Sequence, residues 1–176
     1  KPQTTRTRIT GVLTEGAIQY VFSDTPGFHK PRTKLSEHMV KSVAETVSDV
    51  DVVVFVAEPE GEITPAEQEL IDSVKQQRLP CILALNKIDT LEDKSRLLAS
   101  IARWQKVYPF DGVVPLSALT NEGIAELKEE LSRYAQESVH FFPDDTLTDQ
   151  PERVIVAEII REKLLLLMRQ EIPHGT

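Results

Sequence analysis

Three polar clusters in this chain stand directly after apolar runs, and their residue types decide what chemistry is open to it. The most informative is Asn86-Lys87-Ile88-Asp89, delivered by Cys81-Ile82-Leu83-Ala84-Leu85. A short continuous apolar run of this kind reads as a strand buried on both faces. Ligands of open α/β sheets bind just beyond the carboxyl ends of such strands. An amide, a long cation and a carboxylate at that position suit a purine edge that carries donors and an acceptor together, as guanine does. The Asp89 carboxylate can accept two parallel N–H bonds from guanine N1 and N2, a pair that adenine lacks. Asn86 can bond the other edge of the ring and tie neighbouring loops together, and the Lys87 stem can lie over the base face. A bidentate contact of this kind gives roughly 1–3 kcal/mol of base discrimination, by analogy with groove readout. Taken alone, the same four residues also fit a polar turn with no ligand.

Asp24-Thr25-Pro26-Gly27 follows a second β-prone run, 17–23. An aspartate there can hold Mg²⁺ through water, and Gly27 lets a backbone N–H approach a terminal phosphate with no Cβ in the way. Without its setting the tetrapeptide is an ordinary Asp/Pro/Gly turn. Upstream, a hydroxyl of Thr4-Thr5 could complete a Mg²⁺ shell, and which of the two would do so stays open. Ser117-Ala118 closes a third strand end, where the Ala118 N–H could bond guanine O6.

The elements that must position these clusters follow from periodicity. The runs 9–13 and 17–23, separated by Thr14-Glu15-Gly16, predict an antiparallel hairpin. Leu35, Met39, Val43 and Val47 recur four apart and predict a helix over 34–48. The apolar run 50–57 reads as a buried strand. Thr64-Pro65 with Glu67 reads as an N-cap with proline at the first helical position, opening a helix to about Arg78. A strand over 81–85, a helix over 91–106, a strand over 112–116 and a helix over 122–134 complete three strand–helix alternations. Such alternation implies parallel strands with crossover helices. The stretch 138–150, with Phe141-Phe142-Pro143-Asp144-Asp145, has the composition of a linker. A last helix opens at Pro151 or Glu152 and runs to about Gln170. Its wide apolar face, with Val156, Ile159, Ile160, Leu164 and Leu167, needs a partner surface.

Composition narrows the function classes. The chain has 176 residues, 40% of them hydrophobic, enough for one domain and an appendage. Its 28 acidic against 20 basic side chains give a net charge of −8, so general attraction to nucleic acid or membrane is not expected. Cys81 is the single cysteine, which excludes an internal disulfide and a cysteine metal site and reads as a small core residue. His29, His38, His140 and His174 show no ligand spacing. No run reaches transmembrane length and the first residues lack a signal-peptide core, which points to the cytoplasm.

In their order and spacing the clusters resemble those of the translation-factor-like GTPases and, within them, the Era family. Pro2-Gln3-Thr4-Thr5-Arg6 is similar to the first switch, Asp24-Thr25-Pro26-Gly27 to the second, Asn86-Lys87-Ile88-Asp89 to the guanine-specificity motif, and Ser117-Ala118-Leu119 to the last base-contacting loop. Phe141-Phe142-Pro143-Asp144-Asp145 and Glu158-Ile159-Ile160-Arg161-Glu162-Lys163 resemble the segment joining the GTPase domain of Era to its RNA-binding KH domain. This segment separates Era from relatives with paired GTPase domains or roles in tRNA modification. The resemblance implies an α/β, P-loop-NTPase-like three-layer sandwich with a mostly parallel sheet. It implies a GTPase domain over 1–137, a linker over 138–150 and the start of a KH domain over 151–176.

The same resemblance implies GTP and GDP as ligands, with Mg²⁺. Asn86, Lys87, Asp89, Ser117, Ala118, Asp24 and Gly27 would then contact the nucleotide, Thr5 and Asp24 the metal, and Thr5 and Gly27 the hydrolytic step. The implied role is a GTP-hydrolysing switch in assembly of the small ribosomal subunit. Its implied partners are 16S ribosomal RNA and the 30S subunit, reached through the KH domain, and its implied place is the cytoplasm, with peripheral association at the inner face of the membrane.

Two departures from the family pattern stand out. The phosphate-cradling Gly-x-x-x-x-Gly-Lys-Ser/Thr loop and the first strand that precedes it have no counterpart in the sequence, and neither does the RNA-gripping Gly-x-x-Gly loop of a KH domain. The chain therefore reads as an internal fragment, inactive by itself, whose hairpin strand 17–23 and strand 50–57 would each show a bare edge. Phe28 occupies the place where Ras-like enzymes keep a glutamine that orients the attacking water. Backbone groups, a second water or a monovalent cation would have to place that water instead, so slow intrinsic hydrolysis is expected. Two other readings of the chain stand beside this one: a protein- or RNA-binding module with no catalysis, and a translation-factor-like GTPase with tandem GTPase domains.

Overall fold

Alternating apolar strands and amphipathic helices build a parallel sheet, as the pattern predicts. The computed structural model describes residues 9–24, 50–91 and 93–167. The helix expected over 34–48, the switch-like stretch 2–6, and Thr25, Pro26, Gly27 and Phe28 lie outside the described residues. Contacts divide the chain into two units, one holding 1–27 and 139–176, the other 28–138.

In the second unit, β3 (Val53–Ala57), β4 (Cys81–Asn86) and β5 (Gly112–Leu116) pair in parallel in the order β3-β4-β5. The register places Phe55 beside Leu83 and Leu83 beside Val113. Asp111 sets it at the strand entry: its backbone N–H donates to the Cys81 carbonyl and its carboxylate accepts from the Cys81 N–H at 2.8 Å. Helix α1 (Pro65–Gln77) starts where the sequence predicts, with Thr64 and Glu67 bonded reciprocally in a capping box. Helix α2 (Lys94–Val107) begins later than expected, because Ile88–Thr90 forms a 3₁₀ turn and the Asp93 side chain caps the helix by accepting from Ser95 N–H. Helix α3 (Ile124–Ser132) also begins later than position 122, after Gly123 at φ 78°. A Cβ at Gly123 would lie 2.3 Å from the Pro115 carbonyl oxygen, so only glycine lets the chain turn so close to β5.

Period-2 alternation sorts the strands into two faces. Phe55, Ala57, Cys81, Leu83 and Leu85 pack with Ile71 and Val74 of α1 and Trp104 of α2 in one core. Over the other face, Glu130 of α3 approaches Gly112, beside which Ile82 also lies, so helices cover both faces of the sheet. The central strand β4 is buried from Cys81 to Leu85. The expected small core residue Cys81 is there, its thiol pushed up to about 12 by burial and then by the nearby Asp111 carboxylate. Trp104 is the largest fully buried side chain, tilted against Phe55 at 5.4 Å and edge-on to Phe110 at 6.3 Å between ring centres.

The first unit is a hairpin with a strap. Strands β1 (Ile9–Glu15) and β2 (Ile18–Asp24) pair antiparallel as predicted, with Gly16 at φ 61° in the turn. The stretch 140–150 hydrogen-bonds to this hairpin. Val12 N–H donates to Leu147 O, Thr148 Oγ1 to Thr10 O, and the Gln19 amide both donates to Phe142 O and accepts from Phe142 N–H. The two ring nitrogens of His140 lie within hydrogen-bond distance of the Asp144 carboxylate at 2.6 Å and the Ala17 carbonyl at 3.2 Å. Helix α4 (Glu152–Leu167) leaves Val156, Ile159, Ile160 and Leu164 about half exposed, in line with an apolar face that awaits a partner. Among the described residues β2 pairs only with β1, and β3 has a strand on one side only. Val21, Phe22 and Val56 are exposed there.

Two measurements check this architecture. Trp104→Ala should cost about 3–5 kcal/mol in urea unfolding followed by far-UV circular dichroism. Trp104→Phe keeps a ring and removes an indole N–H that has no acceptor among the described residues, so it should cost clearly less. The His140 link predicts pH dependence. Both its partners are acceptors, so the doubly protonated imidazolium fits, and the Asp144 hydrogen bond first and the Ala17 carbonyl second raise its pKa above the ordinary 6.5. A raised folded-state pKa stabilises fully below pH 6.5 and is lost as pH rises through the raised value. Thermal melts from mildly acid to mildly alkaline pH should show that loss, and His140→Gln should flatten it.

Candidate functional site

Parallel pairing carries the polar clusters to one end of the sheet. Asn86, the last residue of β4, pairs in register with Leu116, the last of β5. Ser117-Ala118 therefore leaves its strand beside the point where Lys87 to Asp89 leaves theirs. The Asn86 side chain joins the two loops. Its Oδ1 accepts from Lys87 N–H at 2.8 Å and from Ala118 N–H at 3.0 Å. Both partners are donors, which identifies that atom as the amide oxygen and uses its two lone pairs. The NH₂ group is left as a donor with no acceptor among the described residues. The Ala118 N–H, expected from sequence to face a base oxygen, is taken by this neighbouring amide.

Lys87 adopts the left-handed conformation at φ 75°, uncommon for a residue with a Cβ. Thr90 holds the turn by donating its hydroxyl to Lys87 O at 2.8 Å. The Lys87 ammonium pairs with Glu58, which follows β3. Pattern reading missed Glu58, although a residue just past the end of the neighbouring parallel strand was the place to look. Asp89 lies in the 3₁₀ turn and is exposed. Ser117 is fully buried and its hydroxyl accepts from Thr120 N–H, while Ser117 N–H donates to Glu122 O, closing the loop over residues 117–122. Thr120 and Glu122 were not singled out by sequence because their part is played by backbone atoms.

Five of the expected residues thus come together: Asn86, Lys87, Asp89, Ser117 and Ala118. They present an amide donor, a carboxylate acceptor and a lysine stem, the set a guanine edge requires. Asp24 ends β2 in the other unit. Thr4, Thr5 and Gly27 lie outside the described residues.

Asn86→Ala should remove both bonds that join the loops and cost about 1–3 kcal/mol, two hydrogen bonds at roughly 0.5–1.5 each. Amide hydrogen exchange should speed up at Ala118 while Leu83 and Leu85 in β4 stay protected. Unchanged exchange at Ala118 would mean that Asn86 does not hold the loop.

The chain matches the family model of the 50S ribosome-binding GTPases over residues 1–87. It is 45% identical over 175 residues to the GTPase Era of Ruminiclostridium cellulolyticum, covering 99% of this chain and 58% of that protein. It is 43% identical over 175 residues to the GTPase Era of Clostridioides difficile, covering 99% of this chain and 59% of that protein. The chain thus spans less than two thirds of the length of these relatives. Among solved structures, a variant of Aquifex aeolicus Era bound to GDP and AlF₄⁻ superposes with a TM-score of 0.87 at 33% identity, over 98% of this chain and 59% of the other. An Era structure in complex with MgGDPNP and nucleotides 1506–1542 of 16S ribosomal RNA superposes with a TM-score of 0.88, at 33% identity and the same coverage. Likeness in sequence and in backbone spans almost every residue, and the chain belongs to the Era family of GTPases.

Proposed function

We propose that this chain is the greater part of the guanine-nucleotide switch of a GTP-hydrolysing protein that acts in assembly of the small ribosomal subunit. The observation that carries the reading is the double use of Asn86 Oδ1. It locks the tips of β4 and β5 together and leaves the Asn86 NH₂ as a donor immediately before the Lys87–Asp89 turn, where the exposed Asp89 offers a carboxylate. In this reading Asp89 accepts from guanine N1 and N2, Asn86 donates to N7, and the Lys87 stem covers the base face while Glu58 holds its ammonium. The buried Ser117 hydroxyl orders the loop whose Ala118 N–H is held by Asn86 beside the base.

Bound GTP and Mg²⁺ would supply the scissile phosphate and the charge that offsets it. In the proposed scheme Asp24 and Thr5 hold the metal, and the Gly27 N–H meets the terminal phosphate. With Phe28 next to it, the attacking water is left to backbone groups, a second water or a monovalent cation. Loss of the terminal phosphate would release the segments around Thr5 and Gly27. The related Era structures hold GDP with AlF₄⁻ in one case and MgGDPNP with 16S ribosomal RNA in the other, which supports both the nucleotide and the RNA partner. On this reading 1–137 is the GTPase domain, 138–150 the linker and 151–176 the entry to a KH domain that reaches the 30S subunit. The protein would work in the cytoplasm and at the inner membrane face. No helix among the described residues is long and apolar enough to cross a membrane.

The test is Asp89→Asn, which presents a donor where the purine edge has one. Binding of fluorescent GDP should weaken on the order of 10- to 150-fold, from about 1.5–3 kcal/mol of charge-assisted bonding. Xanthosine diphosphate, with an acceptor at that edge, should gain. Unchanged base preference would remove Asp89 from the site and the guanine reading with it.

A further inference from the structure

We propose that the groove along the outer edge of β5 docks an extended, lysine- and arginine-rich peptide segment of a protein partner. This groove has a volume of about 650 Å³ and lies wholly within the 28–138 unit. It has three parts. The floor is apolar, with Ile88, Leu91, Leu97, Val113 and Pro115 lining it, all of them half-buried. One wall is α3 with the turn before it, which contribute Glu122, Glu126, Glu129 and Glu130. The third part is β5 itself, which pairs with β4 on one side and has no strand on the other among the described residues, its edge open as far as Val114 and covered at Pro115 and Leu116 by the turn at Gly123.

Each part constrains the occupant. An edge strand exposes backbone N–H and C=O groups to which another extended segment can pair, and such strand addition is a recurrent mode of peptide recognition. Pro115 fits an edge position, since proline in a sheet is confined to edges and bulges. The half-buried floor offers contact to alternate side chains of an added strand. The acidic wall decides the charge. Arg133 pairs with Glu130 at 2.9 Å, while Glu122, Glu126 and Glu129 remain exposed along the rim. Phosphate backbones are repelled by such a rim, and a second copy of a chain of net charge −8 is not favoured. A basic extended segment satisfies all three parts.

The probe is a fluorescein-labelled nine-residue peptide of alternating lysine and valine, compared with its glutamate–valine counterpart. Fluorescence anisotropy should show binding of the lysine peptide only, weakening as salt is raised. Amide shifts should move at Val113 and Val114 rather than elsewhere in the sheet. The double variant Glu126→Lys with Glu129→Lys should lower affinity about tenfold, two favourable rim contacts becoming repulsive. Glu69→Lys with Asp72→Lys on α1 changes net charge by the same amount and should leave affinity within about threefold. Equal loss in both double variants would mean diffuse attraction to an acidic protein and would overturn the proposal. So would absence of binding, shifts outside β5, or displacement of the peptide by a uridine decamer.

Discussion

Parallel pairing of β4 with a strand on each side is the constraint on which the larger unit depends. A strand so flanked must be apolar on both faces, and Cys81 to Leu85 meets that requirement with complete burial. The same pairing fixes where the chain next becomes polar. Once β4 and β5 are in register, the residues after Leu85 and after Leu116 emerge side by side. Asp111 maintains the register at the opposite end by its two bonds to the Cys81 backbone. A slip of one residue would turn Leu83 and Leu85 from one face to the other, away from Trp104 and the helices that cover it.

Local geometry at the strand tips is costly, and each departure has a neighbour that sustains it. Lys87 sits in the left-handed region, an unfavourable place for a side chain with a Cβ. Asn86 Oδ1 holds its N–H, Thr90 its carbonyl and Glu58 its ammonium. Gly123 permits the turn before α3 to pass against Pro115 and Leu116, and Ser117 and Glu122 close the loop between them. Polar groups there bond to backbone, so the loops are preorganised by the sheet rather than by a ligand.

The hairpin unit is stabilised differently. Among the described side chains its strands present few buried ones, with Val12 the one buried hydrophobic residue of those described. Side-chain bonds from Gln19, His140 and Thr148 to backbone carbonyls and amides carry much of the attachment of 140–148 to the hairpin. Of these contacts the exposed His140 link responds to pH in a way that the Trp104 core does not.

Element types and their order were legible in the sequence because burial imposes period. The continuous runs at β3 and β4, the Thr64-Pro65 cap with Glu67 and the hairpin turn at Gly16 could each be read from residues within a few positions of one another. Five candidate site residues, Asn86, Lys87, Asp89, Ser117 and Ala118, were legible as strand-end polar clusters. Helix starts at Lys94 and Ile124 were not, since they are set by a 3₁₀ turn and by the close approach of Gly123 to β5. The parts of Glu58 and of the Asn86–Ala118 bond depend on which strand lies beside which. Sequence alone determined which groups stand at the strand tips. Tertiary structure alone decided which of them meet, because adjacency between parallel strands is a property of the sheet, and residues about 30 apart in the chain become neighbours only through it.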